Sequence, residues 1–305
     1  MVRPTVKFLS VSPQIESAIA SGQPVVALET TLVTHGLPHP EGLQVAAEIE
    51  ETVRSEGAIP ATIGVIGGGL RVGLSADELH LLAQTKAVSK LNLSNLAASI
   101  TTEGVGSTTV AATMLASHLA GIHVFATGGI GGVHRGVGDT GDISADLMAL
   151  SRYPIAVVCS GAKAVLDIPK TVEALETRGV PIFGVGTDRF PAFYRRDSGV
   201  PVDRGFNDIS QLARAIGAHF DLQVGSGVVI ANPVPFAAEM PEDIYESSLE
   251  RSLEDLATSG VKGREVTPYL LEKLRLLSEG KSVFSNRALL VNNARIAARL
   301  AVALG

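Results

Sequence analysis

The sequence predicts an α/β protein with a layered α/β/α architecture around a mainly parallel central sheet. Short apolar runs bounded by turn residues recur along the chain, as is typical of strands buried on both faces. Segments with helical periodicity separate many of these runs, and parallel strands need such crossover connections. We therefore expect helices on both faces of one sheet.

Six apolar segments are predicted as strands. They are residues 24–28, 61–66, 123–127, 155–159, 181–185 and 228–231. A helix is predicted over residues 41–56, where Val45 and Ile49 repeat at helical spacing and Gly57 follows as a stop. Thr267 and Pro268 begin another helix, which ends at Gly280.

The chain length and composition predict a single α/β catalytic domain over residues 1–305. With 305 residues and 46% hydrophobic residues, the chain can bury a large core. We find no repeat, and residues 187–203 are too rich in aromatic and charged side chains for a flexible linker. That segment is predicted to be a proline-containing loop, and a candidate flap.

Composition argues against several functional classes. A net charge of −6, 4% aromatic residues and no tryptophan argue against a nucleic-acid polymer as partner. The apolar runs are short and the N-terminus has no signal-like stretch, so we expect a soluble cytoplasmic protein with no membrane segment. Cys159 is the single cysteine, which argues against disulfides and thiolate metal clusters.

A glycine-rich loop at residues 128–136 is the most informative segment. Its glycines allow a close approach of the backbone to an anion, and Asp142 and Asp146 beyond it could hold a hard cation. Alternatively, the glycines only form turns and Asp142 caps a helix that begins near residue 143. His134 replaces the third glycine of a dinucleotide fingerprint, and the chain has no GK[ST] motif, so neither nucleotide-binding pattern is present.

Two ionisable residues follow buried strands. Glu29 ends the run VVALE, where burial can build a carboxylic acid with a raised pKa. Lys163 ends IAVVCSGAK, where partial removal from water favours a nucleophilic amine. The alternatives are a structural ion pair for Glu29 and a surface lysine with its amine in solvent for Lys163.

Other polar residues are candidates for substrate contacts. Lys90 precedes three hydroxyls at a predicted helix start, which could cradle a phosphate or only cap the helix. These hydroxyls belong to Ser107, Thr108 and Thr109. Asn286 could be a helix N-cap or a ligand-binding amide.

His35 and His39 stand four residues apart. The prolines beside His39 argue against a helical metal-binding pair, so we expect contacts made from a loop.

Eight blocks of the sequence together resemble one family. They are PVVALETTLVTHGLPHP, ATIGVIGGGLRVGLS, GSTTVAATM, VFATGGIGGVHRG, DISADL, VVCSGAK, VVIANPVP and SNRALLVNNA. In this order they resemble the pseudouridine-5′-phosphate glycosidases, also called indigoidine synthase A-like proteins. The resemblance extends from near residue 10 almost to the C-terminus.

The resemblance implies an enzyme that reversibly cleaves the C–C glycosidic bond of pseudouridine 5′-phosphate to uracil and ribose 5-phosphate. It also implies a Mn²⁺-dependent homotrimer. By motif, Glu29 resembles the proton donor and Lys163 the nucleophile of a covalent lysine–ribose intermediate. Asp142 resembles the acid that is associated with the metal. A lysine nucleophile suits the chemistry, because protonation of an oxygen alone would not release a carbon-linked base.

The resemblance places further residues on the substrate side. They are Lys90, Val110, Thr127, His134, Ser144, Ala145, Asp146 and Asn286. One stretch departs from the family, whose members commonly have K-x-S-R-R-D-L where this chain has KLNLSNL from Lys90. Lys86 is the alternative match.

Two other functions use the same residues. An aldolase-like lyase or transferase could act on a sugar phosphate through a Lys163 imine, without a pocket for uracil. A phosphosugar- or nucleotide-binding regulator would have little reason to keep Glu29 and Lys163 at the ends of buried strands. Formation of pseudouridine 5′-phosphate from uracil and ribose 5-phosphate would separate the three.

Overall fold

The computed structural model describes residues 7–102, 104–261 and 263–305; residues 1–6, 103 and 262 of the predicted domain lie outside these ranges. The strands are β1 Leu9–Val11, β2 Val25–Leu28, β3 Ile59–Ile66, β4 Gly69–Val72, β5 Ser89–Leu91, β6 Gly106–Thr108, β7 Val124–Ala126, β8 Ala156–Cys159, β9 Ile182–Val185, β10 Arg204–Phe206 and β11 Val228–Ala231. The α-helices are α1 Pro13–Ala20, α2 Glu41–Ser55, α3 Ala76–Gln84, α4 Leu96–Ile100, α5 Val110–Ala120, α6 Val137–Thr140, α7 Ala145–Leu150, α8 Ile168–Glu176, α9 Ile209–Asp221, α10 Glu242–Ser259, α11 Val266–Leu277 and α12 Lys281–Leu304. A π-helical turn, Leu32–Gly36, follows β2.

Seven parallel strands form the centre of the sheet. Their order is β3, β2, β7, β8, β11, β9, β10. Every residue of β2, β8 and β11 is buried, as expected when helices cover both faces of a parallel sheet. The predicted fold class is confirmed.

Strand β3 changes partners halfway along its length. Its first half pairs in parallel with β2, whereas its second half pairs antiparallel with β4 and β6. Gly67 and Gly68 form the β3–β4 turn with φ of +56° and +73°. A two-residue hairpin turn that matches the right-handed twist of its strands requires positive φ at both central residues, and glycine adopts positive φ without strain.

Two groups of helices cover the sheet. Helix α12 packs against α2 and α9 and lies over β7 and β8. Helix α5 packs against α7 and contacts β2 and β3. In α2 the predicted apolar stripe, including Val45 and Ile49, is buried. No helix in the described ranges is long and apolar enough to cross a membrane.

The packing of residues 187–203 differs from the predicted flap. Phe190, Phe193 and Tyr194 are buried in this loop. The backbone N–H of Phe193 donates to the carbonyl of Ser160 at 3.0 Å. The aromatic side chains make the loop part of the core, so the flap interpretation is wrong.

A buried polar cluster joins the carboxyl ends of the central strands. The Nδ2 of Asn293, on α12, donates to the Thr127 carbonyl at 2.8 Å. Its Oδ1 accepts from Asn232 at 2.8 Å and from the Ser160 hydroxyl at 3.3 Å. Asn293 has no exposed surface, so these partners satisfy an amide that would otherwise be costly to bury. The cluster fixes the strand ends from which the candidate site is built.

Candidate functional site

The carboxyl ends of β2, β7 and β8 open into one cleft with two halves. The apolar half is lined by Glu29, Leu32, His35, Thr127, Phe193, Leu271, Asn286 and Leu290, among others. The polar half is lined by Asn92, Thr109, Gly131, His134, Asp142, Ser144, Ala145 and Asp146, among others. Lys90, Lys163 and Thr267 line both halves and mark where they meet. The sheet therefore brings together most of the predicted site residues.

Glu29 is a buried carboxyl at the end of β2. It is 6% exposed, and the Thr127 hydroxyl donates to its Oε1. Burial raises the pKa of Glu29, although Lys163 and the hydrogen bond from Thr127 oppose the rise. Among the ion pairs of the described residues none involves Glu29, so the ion-pair alternative finds no support. The arrangement therefore favours the protonated form of the Glu29 carboxyl.

Two lysines face the same cleft. Lys163 lies just beyond β8, and its backbone N–H donates to the Ile130 carbonyl at 3.0 Å. Lys163 is half-buried and lines the cleft together with Glu29 and Lys90, so the surface-lysine alternative finds no support. Burial and the Lys163 cation lower the pKa of Lys90 to about 8.

Where the sequence departs from the family pattern, Lys90 rather than Lys86 lines the cleft. Lys90 lies on β5 opposite Ser107 of β6, whereas Lys86 is exposed in the preceding turn. The amide Nδ2 of Asn95 donates to the Lys90 carbonyl at 3.0 Å, and its Oδ1 accepts from the Asn92 N–H at 2.8 Å. The Asn95 side chain thus closes a turn of the chain after Lys90, and this turn forms one edge of the cleft.

The buried carboxylate of Asp146 is hydrogen-bonded to the backbone of the glycine-rich loop. Its carboxylate accepts from the N–H of Gly131 at 2.7 Å and from the N–H of Ala111 at 2.9 Å. A Cβ at Gly131 would lie 2.2 Å from the Ser144 hydroxyl, so glycine is required by packing. The Ile130 N–H donates to the Gly161 carbonyl. The Gly131 amide is therefore not free for an anion, because Asp146 accepts its hydrogen bond.

Asp142 faces the polar half without capping a helix. Helix α7 begins at Ala145, and its cap is Ser144, whose hydroxyl accepts from the Asp146 N–H at 3.2 Å. The Asp142 cap alternative is therefore wrong. The Asp142 Oδ2 lies 3.9 Å from the Nδ1 of His134.

The Asp142 carboxylate and the His134 imidazole could hold a cation only together with other ligands. Asp146 is engaged by two amides, and the described residues contain no group of three or more His, Cys, Asp or Glu side chains suited to a metal. A carboxylate, an imidazole, water and substrate oxygens fit Mn²⁺, which accepts oxygen and imidazole ligands and retains water readily.

The three predicted hydroxyls have different surroundings. The Thr108 hydroxyl donates to the Ile63 carbonyl at 2.7 Å, deep in the sheet, and Val110 is buried beside it at the start of α5. The Ser107 hydroxyl lies 3.4 Å from the Nδ1 of His35. The Thr109 hydroxyl lines the polar half and is buried with no partner, although Thr109 is the N-cap of α5. A buried hydroxyl without a partner points to a bound ligand.

Asn286 lies inside α12, buried and against the apolar half, so the N-cap alternative is wrong. Asn293 follows it by two helical turns on the same face. The sequence analysis missed Asn293, although the seven-residue spacing of two asparagines in an otherwise apolar stripe indicates it. It also missed Phe193, whose ring would collide with a Cβ at Gly129.

A buried acid and a lysine at the carboxyl ends of parallel strands, with a second lysine on β5, define an α/β enzyme. The family model described as indigoidine synthase A like protein matches residues 14–303. The chain belongs to the indigoidine synthase A-like family.

Curated relatives and solved structures match over nearly the full length. A pseudouridine-5′-phosphate glycosidase of Alkaliphilus metalliredigens is 49% identical over 98% of this chain and 97% of its own. One from Paracoccus denitrificans is 48% identical over 97% of this chain and 98% of its own. The prealnumycin C-glycosynthase AlnA, solved with ribulose 5-phosphate, is 39% identical over 98% of both chains, with a TM-score of 0.91. An indigoidine synthase A-like protein of Thermotoga maritima is 33% identical over 97% of this chain and 96% of its own, with a TM-score of 0.88.

We expect Asp146→Asn to lower the free energy of unfolding by about 2 to 3 kcal/mol, because the new NH₂ group faces a backbone donor and leaves one buried amide unpaired. Urea unfolding measures the change. Asp139→Asn, at an exposed acid of α6, is the matched control and should change the value by less than about 0.5 kcal/mol. Equal effects of the two substitutions would contradict a loop-holding role for Asp146.

Proposed function

We propose that the chain is a pseudouridine-5′-phosphate glycosidase, which reversibly cleaves a C–C glycosidic bond through a covalent lysine–ribose intermediate. The observation that carries this proposal is the position of Glu29 and Lys163 in one cleft that has a polar half on one side and an apolar half on the other. The names of the full-length relatives support it.

The polar half suits a ribose phosphate. It offers the Lys90 amine and the unpartnered Thr109 hydroxyl. Thr109 is also the N-cap of α5, so the N-terminus of this helix lies at the polar half. Cations, hydroxyls and helix N-termini are the groups that hold phosphate dianions. The related AlnA was solved with a pentose 5-phosphate, a ligand of the same class.

The apolar half suits a flat base. Leu32, Phe193 and Leu290 supply apolar walls, while Asn286 supplies an amide that can both donate and accept. An aldolase-like enzyme for a sugar phosphate alone would have no occupant for this half. A binding regulator would not require a proton-holding carboxyl beside an amine.

The reaction follows from the two central groups. Protonated Glu29 delivers a proton to the ribose ring oxygen as the ring opens, and the neutral Lys163 amine bonds to the anomeric carbon. The attached nitrogen loses a proton to the solvent, and a solvent proton adds to the base carbon. The nitrogen lone pair then forms a protonated imine as the C–C bond breaks, and the bond pair restores the double bond of the base, which leaves as neutral uracil. Water hydrolyses the imine to release ribose 5-phosphate and the Lys163 amine.

Asp142 and His134 would hold Mn²⁺ together with water and substrate oxygens. The ion would supply positive charge where the substrate carries negative charge. A homotrimeric assembly stays a prediction from the family resemblance, and a cytoplasmic location stays a prediction from the short apolar runs and the N-terminal sequence.

Incubation with ribose 5-phosphate, uracil and Mn²⁺ tests the proposal. We expect mass spectrometry to find pseudouridine 5′-phosphate, and borohydride to trap the ribose at Lys163. Lys163→Arg keeps the charge but cannot form the imine, so it should lose both product and label. Product formation by Lys163→Arg, or a label mapped to Lys90 instead, would contradict the assigned nucleophile. A sugar adduct without any product would favour the aldolase-like alternative.

The affinity for ribose 5-phosphate should fall at alkaline pH, because Lys90 loses its charge above a pKa of about 8. The phosphate stays a dianion above pH 7, so the change reports the lysine. Between pH 7 and pH 9 we expect Kd to rise about tenfold, as measured by titration calorimetry. Lys90→Arg stays charged throughout and should bind with nearly constant affinity. A wild-type Kd that does not vary with pH, or the same rise in Lys90→Arg, would assign the phosphate to another group.

A further inference from the structure

Asn92 lines the polar half of the cleft but has no part in the proposed function as described so far. It is the first residue after β5, and it is half-buried. Strands β5 and β6 pair in parallel and end level with each other, with Leu91 opposite Thr108. Asn92 and Thr109 are the next residues, so they lie side by side where these strands end. The Thr109 N–H donates to the Leu91 carbonyl at 2.9 Å and fixes this arrangement.

One neighbouring residue fixes the orientation of the Asn92 amide. The backbone N–H of Ser94 donates to the Asn92 Oδ1 at 2.9 Å, and the Ser94 hydroxyl donates to the same oxygen at 2.7 Å. A backbone N–H can only donate, so the amide atom that faces it must be the oxygen. The NH₂ group of Asn92 is therefore turned away from Ser94.

This NH₂ group has no acceptor among the hydrogen bonds of the described residues, although the Asn92 oxygen and backbone N–H both have partners. The carboxylates of the polar half have other partners, because Asp146 accepts from two backbone amides and Asp142 faces His134. An amide NH₂ group is a donor and offers no lone pair, so it is not a ligand for a metal. A donor held in one orientation on the wall of a cleft, with no protein acceptor, indicates a ligand oxygen.

The groups beside Asn92 indicate which ligand oxygen this is. Lys90 lies two residues earlier and lines the same half, as expected because alternate residues of a strand face the same side. The Thr109 hydroxyl is buried with no partner. A ribose hydroxyl both donates and accepts, whereas the oxygens of a phosphate dianion accept only. An ammonium, a hydroxyl and an amide NH₂ group, all able to donate, therefore match a phosphate better than a sugar hydroxyl.

We propose that Asn92 binds the phosphate of the substrate through its Nδ2 group, beside the Lys90 amine and the Thr109 hydroxyl. Ser94 is a positioning residue, because its two hydrogen bonds keep the amide oxygen away from the phosphate. This inference rests on the proposed function, which places the ribose phosphate in the polar half. It adds a specificity-determining residue for phosphorylated substrates at the edge of the cleft where the sequence departs from the family pattern.

Titration calorimetry with ribose 5-phosphate, and competition by inorganic phosphate, test the proposal. Asn92→Ser removes the NH₂ group without adding a charge and should weaken the binding of both ligands about tenfold. Asn92→Asp keeps an oxygen for Ser94 but places a carboxylate beside the phosphate, so it should raise the Kd for ribose 5-phosphate by about a hundredfold. Asn207→Asp is the matched control, because this exposed asparagine beyond β10 lines neither half. It adds the same charge at a distance and should change Kd by less than about twofold.

The two variants separate a direct contact from other effects. A Kd of Asn92→Ser within about twofold of the wild-type value overturns the proposal. That result holds even if Asn92→Asp binds weakly, because the added carboxylate then acts by pairing with Lys90. Weaker binding of ribose 5-phosphate with unchanged competition by inorganic phosphate assigns the amide to a ribose oxygen, and this also overturns the proposal.

Two further outcomes are distinct. A wild-type protein that binds ribose 5-phosphate as expected but cleaves no pseudouridine 5′-phosphate overturns the proposed function alone. If the variants fail to fold, nitrogen-15 spectra of the asparagine side chains in the wild-type protein decide the matter. A shift of the Asn92 NH₂ resonances on addition of inorganic phosphate supports the proposal, and unchanged resonances overturn it.

Discussion

The burial of the Glu29 carboxyl is the constraint on which the site depends. A carboxyl at the end of a central parallel strand loses its water, so its neutral form is favoured and the pKa rises. The same lack of water lowers the pKa of Lys90, which lines the same cleft. Because Glu29 and Lys163 line the same cleft, a carboxyl that favours its protonated form lies close to the amine that the proposed reaction needs.

The surrounding structure keeps these groups in place with hydrogen bonds from the backbone. Asp146 ties the glycine-rich loop to the start of α5, and Asn293 ties the ends of β7, β8 and β11 to α12. Both are buried polar groups with satisfied partners, which rigidify a site more than apolar packing alone would. The glycines allow this close approach, and their role is packing as much as ligand contact.

The sequence predicts the central sheet well because its strands are buried on both faces and are therefore continuously apolar. Strands β1, β4, β5, β6 and β10 escaped prediction, since segments of three or four residues are too short to carry a readable period. At the site, Glu29 and Lys163 could be found because a charge at the end of an apolar run is unusual. The backbone amides that Asp146 accepts from could not, because Ala111 and Gly131 are far from Asp146 in sequence.

The protonation of Glu29 tests this account most directly. Infrared spectra recorded against pH, with Glu29→Gln to assign the band, report the carbonyl stretch of the protonated carboxyl. We predict a pKa above the ordinary value of 4.5, and a further rise in Lys163→Met because the lysine cation lowers it. A Glu29 carboxyl that titrates at or below 4.5, unaffected by the loss of Lys163, would contradict the account.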